Sequence, residues 1–191
     1  MVSAKDIKAL RERTGAGILD CKKALAEAEG DMEAAVDWLR TKGIASAAKK
    51  SGRIAAEGLV HAYIHAGGKI GVLIEVNSET DFVAMTDGFK ELVHNIAMQV
   101  AAHSPLYVSA DDIPAEDIAR ERDVQRARVI EEGKPAAMAD KIVDGRINKW
   151  HKEVCLLDQD YFRDEEKSVR DLLTDAVATI GENIKVRRFV R

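Results

Sequence analysis

Asp81 and Phe82 are neighbours in the stretch Asn77-Ser78-Glu79-Thr80-Asp81-Phe82-Val83, a carboxylate beside a large apolar ring. A ring carried on an anchored connection is a candidate for insertion into a partner, because buried aromatic anchors dominate binding energy. The other reading is that Phe82 folds back onto its own core. Further residues with chemistry are few. His61 and His65 share one face of an alternating run. No Cys, Asp or Glu at ligand spacing completes a site around them, so a polar strand face is the better account and no metal site is assigned. A hydrolase using His61, His65 and Glu75 lacks a nucleophile. No Gly-x-x-x-x-Gly-Lys-Ser/Thr phosphate loop and no Gly-x-Ser-x-Gly elbow occurs. Gly15-Ala16-Gly17 is too short for a nucleotide cradle and has no strand before it. These residues predict a binding protein with no catalytic residue and no cofactor.

The elements that must hold Asp81 and Phe82 lie on either side of them. Lys69 to Val76 (KIGVLIEV) sets Ile70, Val72, Ile74 and Val76 on one side, the pattern of a half-buried strand. Phe89 to Ala102 places Phe89, Leu92, Val93, Ile96, Ala97 and Val100 on one helical stripe. Asn77–Val83 is therefore a strand-to-helix connection, pinned at both ends by core and exposed between. Upstream, Gly58 to Ala66 alternates Val60, Ala62 and Ile64 against His61, Tyr63 and His65. Gly67-Gly68 joins it to the next strand, a β-hairpin over 58–76.

Three short helices are expected before this hairpin. Ser3 caps the first, with Asp6 completing the pair and Ile7 and Leu10 as its apolar positions. Thr14-Gly15-Ala16-Gly17 breaks it. The second carries Leu19, Ala24, Leu25 and Ala28 inward and stops at Gly30. Asp31 caps the third, which turns Ala35, Trp38 and Leu39 to one face and ends at Gly43. Helices this short must pack on one another to persist. They form a module over 1–43 that resembles ubiquitin-associated domains in helix spacing. Residues 44–57, rich in Ala, Lys and Arg, read as a linker helix; Lys49, Lys50 and Arg53 are its solvated basic face rather than a phosphate contact.

Residues 58–191 form the core. After the hairpin come a short edge segment at Ser104–Val108, where Pro105 forbids a central strand, and a charged helix from Ala115 to Glu132 ended by Gly133-Lys134-Pro135. A helix through Ile142, Val143, Ile147 and Trp150 and a short buried piece at Val154–Leu157 follow. Ser168 caps a helix with Val169, Leu172, Leu173, Ala176, Val177 and Ile180 on one stripe, ended by Gly181. The last strand, within 183–191, adds to the hairpin sheet. The fold class is α+β: a three-helix N-terminal module, then a core with an antiparallel sheet of about three strands and flanking helices.

The chain has 191 residues and a net charge of −4, which does not favour a nucleic-acid partner. Cys21 and Cys155 lack Cys-x-x-Cys spacing, which predicts a reducing, cytoplasmic setting without a disulfide framework. The first residues have no apolar segment of the secretory kind, and no run approaches the roughly 20 apolar residues of a membrane span.

Arg13-Thr14-Gly15-Ala16-Gly17, Asp20-Cys21-Lys22-Lys23-Ala24-Leu25, Glu75 to Val83 and Gly181-Glu182-Asn183-Ile184 together resemble the translation elongation factor Ts family, with the match running from near residue 4 to the C-terminus. The resemblance implies nucleotide exchange on the GTPase elongation factor Tu: binding its GDP form, loosening Mg²⁺ and GDP, and letting GTP enter. It implies that the N-terminal module, at Arg13, Thr14, Gly15, Ala16, Gly17, Ile18 and Leu19, docks on the nucleotide-binding domain. It makes Thr80, Asp81, Phe82 and Val83 the exchange element, with Phe82 as a wedge. Ile18 and Leu19 stand where the family often has two methionines. The chain resembles the short form, without the second core subdomain and helical hairpin of long members, so a homodimer is the expected source of a second sheet. The alternative is a ubiquitin-associated-type adaptor without exchange activity.

Overall fold

The computed structural model describes residues 2–191; Met1, at the start of the expected N-terminal module, lies outside them, as do the side chains of Ala136 and Ala137. The helices and strands in chain order are α1 (Ala4–Thr14), α2 (Ile18–Glu27), α3 (Met32–Lys50), β1 (Glu57–Ile64), β2 (Gly71–Ser78), α4 (Asp81–Ala84), α5 (Asp87–His103), α6 (Ala115–Glu131), α7 (Ala136–Val154), β3 (Asp160–Tyr161), β4 (Asp164–Ser168), α8 (Val169–Ile180) and β5 (Lys185–Val190). The α+β expectation holds: one antiparallel sheet has the order β1-β2-β5 and a second pairs β3 with β4. The chain divides into two compact units.

The first unit holds the chain up to Leu59, Val76–Leu92 and Asp171–Val186. Ser3 caps α1 as expected, its hydroxyl oxygen accepting the Asp6 N–H at 3.1 Å. Gly15 closes α1 in the left-handed region, φ 69°, with its N–H donating to the Arg11 carbonyl at 2.8 Å. Leu10, Cys21, Ala24, Leu25 and Ala35 are fully buried, with Ile7, Met32, Trp38 and Leu39 packed against them. Leu19 does not point inward; it is 81% exposed. At about 100° per residue it sits some 200° around the helix from Cys21, so the stripe that buries Cys21 and Ala24 turns Leu19 outward. Nor does α3 end at Gly43: it continues to Lys50. Gly43 is buried, and a β-carbon on it would lie 3.2 Å from the Ala178 β-carbon. Its small size lets α3 approach α8 there, and a mid-helix glycine costs only about 1 kcal/mol.

The second unit holds Val60–Glu75, Val93–Arg170 and Arg187–Arg191. Val72 and Ile74 of β2 are buried, as are Val93, Ile96, Ala97 and Val100 of α5, matching the expected strand face and helix stripe. The faces of β1 are reversed: Val60 and Ile64 are exposed while His61 and Tyr63 are half-buried. The edge piece at 104–108 and the buried piece at 154–157 turn out to be partners, with Tyr107 bridged to Cys155 and the Leu156 N–H donating to the Tyr107 carbonyl at 2.9 Å. Burial pushes the Cys155 thiol up to about 11, which keeps it protonated. Helices α6 and α7 pack as an antiparallel hairpin around Val129, Ala139, Val143 and Ile147, laced by Arg122 to Asp144 (2.6 Å), Arg126 to Asp140 and Arg146 to Glu132 (2.7 Å). The four residues between Glu131 and Ala136 suffice to reverse the chain.

Candidate functional site

The connection after β2 is built from its base upward. Gly58 of β1 crosses the end of β2 at φ 139°, where a β-carbon would stand 2.2 Å from the Val76 carbonyl oxygen. That close approach lets the Asn77 side-chain amide donate to the Glu57 carbonyl at 2.9 Å. Ser78 is fully buried and its hydroxyl donates to the Thr80 carbonyl at 2.9 Å. One carboxylate oxygen of Glu182 accepts the N–H groups of Glu79 (3.1 Å) and Thr80 (3.0 Å), and the other accepts the Thr80 hydroxyl at 2.7 Å. In return the Glu79 carboxylate accepts the Asn183 N–H at 2.7 Å. The buried Asn183 amide donates to the Arg53 carbonyl at 2.7 Å.

Above this base stands α4, one turn long. Ala84 is its buried foot. At its far end Thr86 ties α4 to α5: its hydroxyl donates to the Val83 carbonyl at 2.8 Å, and its oxygen accepts the Phe89 N–H at 3.3 Å. Asp81 is exposed, Val83 is half-buried, and Phe82 is 78% exposed. Phe82 therefore does not fold back onto the core. Met85, one turn on and 64% exposed, extends the same apolar display. Sequence reasoning passed over Met85, although its i+3 spacing from Phe82 is visible in the chain. It also gave Glu182 and Asn183 no role.

The N-terminal candidates divide by task. Arg13 binds Glu33 through two hydrogen bonds of 2.6 and 2.7 Å, which raise the Arg13 pKa and lower that of Glu33. The Thr14 hydroxyl donates to the Leu10 carbonyl at 2.7 Å, and the Gly17 carbonyl accepts the Cys21 N–H at 2.9 Å. Arg13 to Gly17, with the half-buried Ala16 among them, thus shape the turn, while Ile18 and Leu19 project from it into solvent.

The histidines do not act together. His61 Nε2 lies 3.2 Å from His94 Nδ1, and His65 Nδ1 lies 2.9 Å from the Tyr63 hydroxyl. Burial, and secondarily the neighbouring His94, holds the His61 pKa below the ordinary histidine value. Glu75 is bound by Arg187 (3.2 Å) and Arg188 (2.7 Å). The basic cluster is likewise divided: Lys50 donates to the Ser46 hydroxyl at 2.7 Å, and Arg53 approaches Glu79 at 3.5 Å. Among the described residues no group of three or more His, Cys, Asp or Glu is arranged to hold a metal ion, and no helix is long and apolar enough to cross a membrane.

A family model described as elongation factor TS matches residues 44–176. Curated relatives extend the similarity over the whole chain. A protein of Moorella thermoacetica, elongation factor Ts, is 58% identical over 191 residues, covering all of this chain and 94% of its own. One of Thermoanaerobacter sp. (strain X514) with the same name is 60% identical with the same coverage. One of Carboxydothermus hydrogenoformans is 58% identical over all of this chain and 88% of its own.

Proposed function

The chain belongs to the elongation factor Ts family, and from that premise we propose that it is the guanine-nucleotide exchange factor for elongation factor Tu, acting in the cytoplasm without catalytic residues of its own. The observation that carries this reading is the exposed Phe82, 78% accessible on a single helical turn whose base is bonded on both sides. An apolar ring held out in this way loses water-exposed surface only when a partner takes it in.

In this reading the GTPase holds GDP and Mg²⁺ by backbone amides and charge. Phe82 wedges between elements of the nucleotide-binding domain. Asp81, at the start of α4, brings a negative charge toward the Mg²⁺ site, and Thr80 and Val83 frame the pair. Ile18 and Leu19 dock on the same domain, presented by the turn at Arg13, Thr14, Gly15, Ala16 and Gly17. No bond is made or broken. A protein that binds the nucleotide-free GTPase more tightly must weaken nucleotide binding by the same factor.

A homodimer completes the proposal. Val60, Ile64 and Leu73 lie exposed on one face of β1 and β2, and β5, with Phe189 and Val190 near its end, is an open sheet edge. The test of the exchange reading is release of fluorescent GDP from elongation factor Tu in a stopped-flow mixer. Acceleration by micromolar protein is expected; an unchanged rate refutes it.

A further inference from the structure

Resting on the exchange reading, we infer that Glu182 is a positioning residue for exchange: its carboxylate sets where Asp81 and Phe82 stand, so that without it the protein still binds the GTPase but releases GDP slowly. Three observations converge on it. First, one carboxylate receives three donors from two consecutive residues, the N–H groups of Glu79 and Thr80 and the Thr80 hydroxyl, at 3.1, 3.0 and 2.7 Å. Hydrogen bonds to an ionised acceptor are about twice as strong as neutral ones. Glu182 and Thr80 are 102 positions apart, so the contact is made by the fold and not by local sequence.

Second, Thr80 occupies the cap position of α4, where its hydroxyl would ordinarily accept an N–H of the first turn. It makes no such bond. The hydroxyl donates to Glu182 instead. A four-residue helix has no cooperative strength of its own, so the direction of α4 (Asp81–Ala84) depends on what holds the residues at its two ends, and at the entry end the Thr80 N–H and hydroxyl are both held by Glu182.

Third, the tether is reciprocal. Glu79 sends its carboxylate back to the Asn183 N–H at 2.7 Å, while Asn183 reaches the carbonyls of Arg53 (2.7 Å) and Ser51 (3.4 Å). Segments 51–53, 79–80 and 182–183 are thereby held together by polar bonds, with the apolar ring of Phe82 left outside them. Removing the Glu182 carboxylate unties the loop without opening a hole in the apolar core.

The test uses the full chain and elongation factor Tu loaded with fluorescent GDP, with release rates measured over a range of protein concentration. Glu182→Ala is expected to lower the maximal release rate about tenfold, the size of coupling typical for residues in one hydrogen-bond network, while the half-saturating concentration stays within about threefold. Glu182→Gln, which keeps an acceptor oxygen, should recover most of the rate. In Phe82→Ala the added Glu182→Ala change should cost clearly less than in the wild type, because only the placement of Asp81 is then left to lose. Without any partner, the Glu79 and Thr80 amides should lose hydrogen-exchange protection in Glu182→Ala and regain it in Glu182→Gln. If Glu182→Ala does not fold, Thr80→Val removes the hydroxyl alone and should slow release by a smaller factor. A folded Glu182→Ala with the wild-type maximal rate overturns the inference, as does one whose defect multiplies in full with that of Phe82→Ala. If the wild-type protein itself leaves GDP release unchanged, the exchange reading fails, and the amide protection still reports whether Glu182 holds the loop.

Discussion

Gly58 passes so close to Val76 that a β-carbon on Gly58 would stand 2.2 Å from the Val76 carbonyl oxygen and 2.6 Å from the Asn77 α-carbon. No real β-carbon tolerates either distance, and the φ of 139° is one that side chains rarely adopt. Gly58→Ala must therefore push β1 away from the end of β2, where the Asn77 side chain is bonded. Strain and overpacking together should cost about 3 kcal/mol or more. For a chain of this size that lowers Tm by roughly 6–12 °C. Calorimetry decides it, and a Tm within about 2 °C of wild type would mean that the crossing has slack.

His61 supplies a pH dependence. Burial, then His94, depresses its folded pKa, whereas in the unfolded chain it titrates near ~6.5. Below that value the unfolded state binds more protons, so this contribution to stability is complete above about pH 6.5 and is lost as pH falls toward the depressed folded value. Urea unfolding should show lower stability at about pH 5.5 than at about pH 7.5, and His61→Gln should flatten that difference. An unchanged slope in the variant would place the proton uptake elsewhere.

The parts of this fold that were legible in the sequence are those written in local periodicity. The buried face of β2 and the stripe of α5 follow from apolar spacing alone. Gly43 looks like a stop in the sequence because glycine weakens helices; its value as a small residue against Ala178 depends on a segment far away in the chain. The faces of β1 were misjudged because Val60 and Ile64 look like core, yet the inner position is taken by His61, which meets His94. The β3–β4 pair leaves no periodic signal, because β3 is only two residues long and Asp164 to Ser168 is wholly polar. At the candidate site the loop itself was visible. The exposure of Phe82 was not, since an apolar ring fits either a core or a partner. No local pattern links Glu182 to Thr80.

The dimer proposal predicts a concentration-dependent mass. Val60, Ile64 and Leu73 leave apolar surface in water on one sheet face, and association would cover it at roughly 25 cal/mol per Å² of apolar area. Light scattering at tens of micromolar should give twice the chain mass of 21.0 kDa. Leu73→Lys should shift the population toward monomer with little loss of monomer stability, because the side chain is already half in water. Monomer alone throughout the range, with and without elongation factor Tu, would remove the dimer from the proposal.

Phe82 and Asp81 should separate anchoring from electrostatics. Truncating an aromatic anchor at an interface costs about 2–4 kcal/mol, on the order of 30- to 1000-fold in affinity. Phe82→Ala should show that loss in binding to elongation factor Tu and in GDP release. Its Tm should stay within about 2 °C of wild type, since an exposed surface residue contributes little to folding; a buried phenylalanine would instead cost about 3–5 kcal/mol of stability. Asp81→Asn keeps size and removes charge. If the carboxylate acts by disturbing the Mg²⁺ site, this variant should bind the GTPase nearly as well as wild type and release GDP more slowly. The defect should shrink when Mg²⁺ is removed by chelation, because there is then no cation left to displace. Phe82→Ala should remain impaired under the same chelation, as its loss is one of contact. The measurement is the maximal GDP-release rate of both variants with and without chelator. An Asp81→Asn defect that chelation leaves untouched would assign the carboxylate a contact role like that of the ring, and a Phe82→Ala rate restored by chelation would make the wedge an accessory to Mg²⁺ removal.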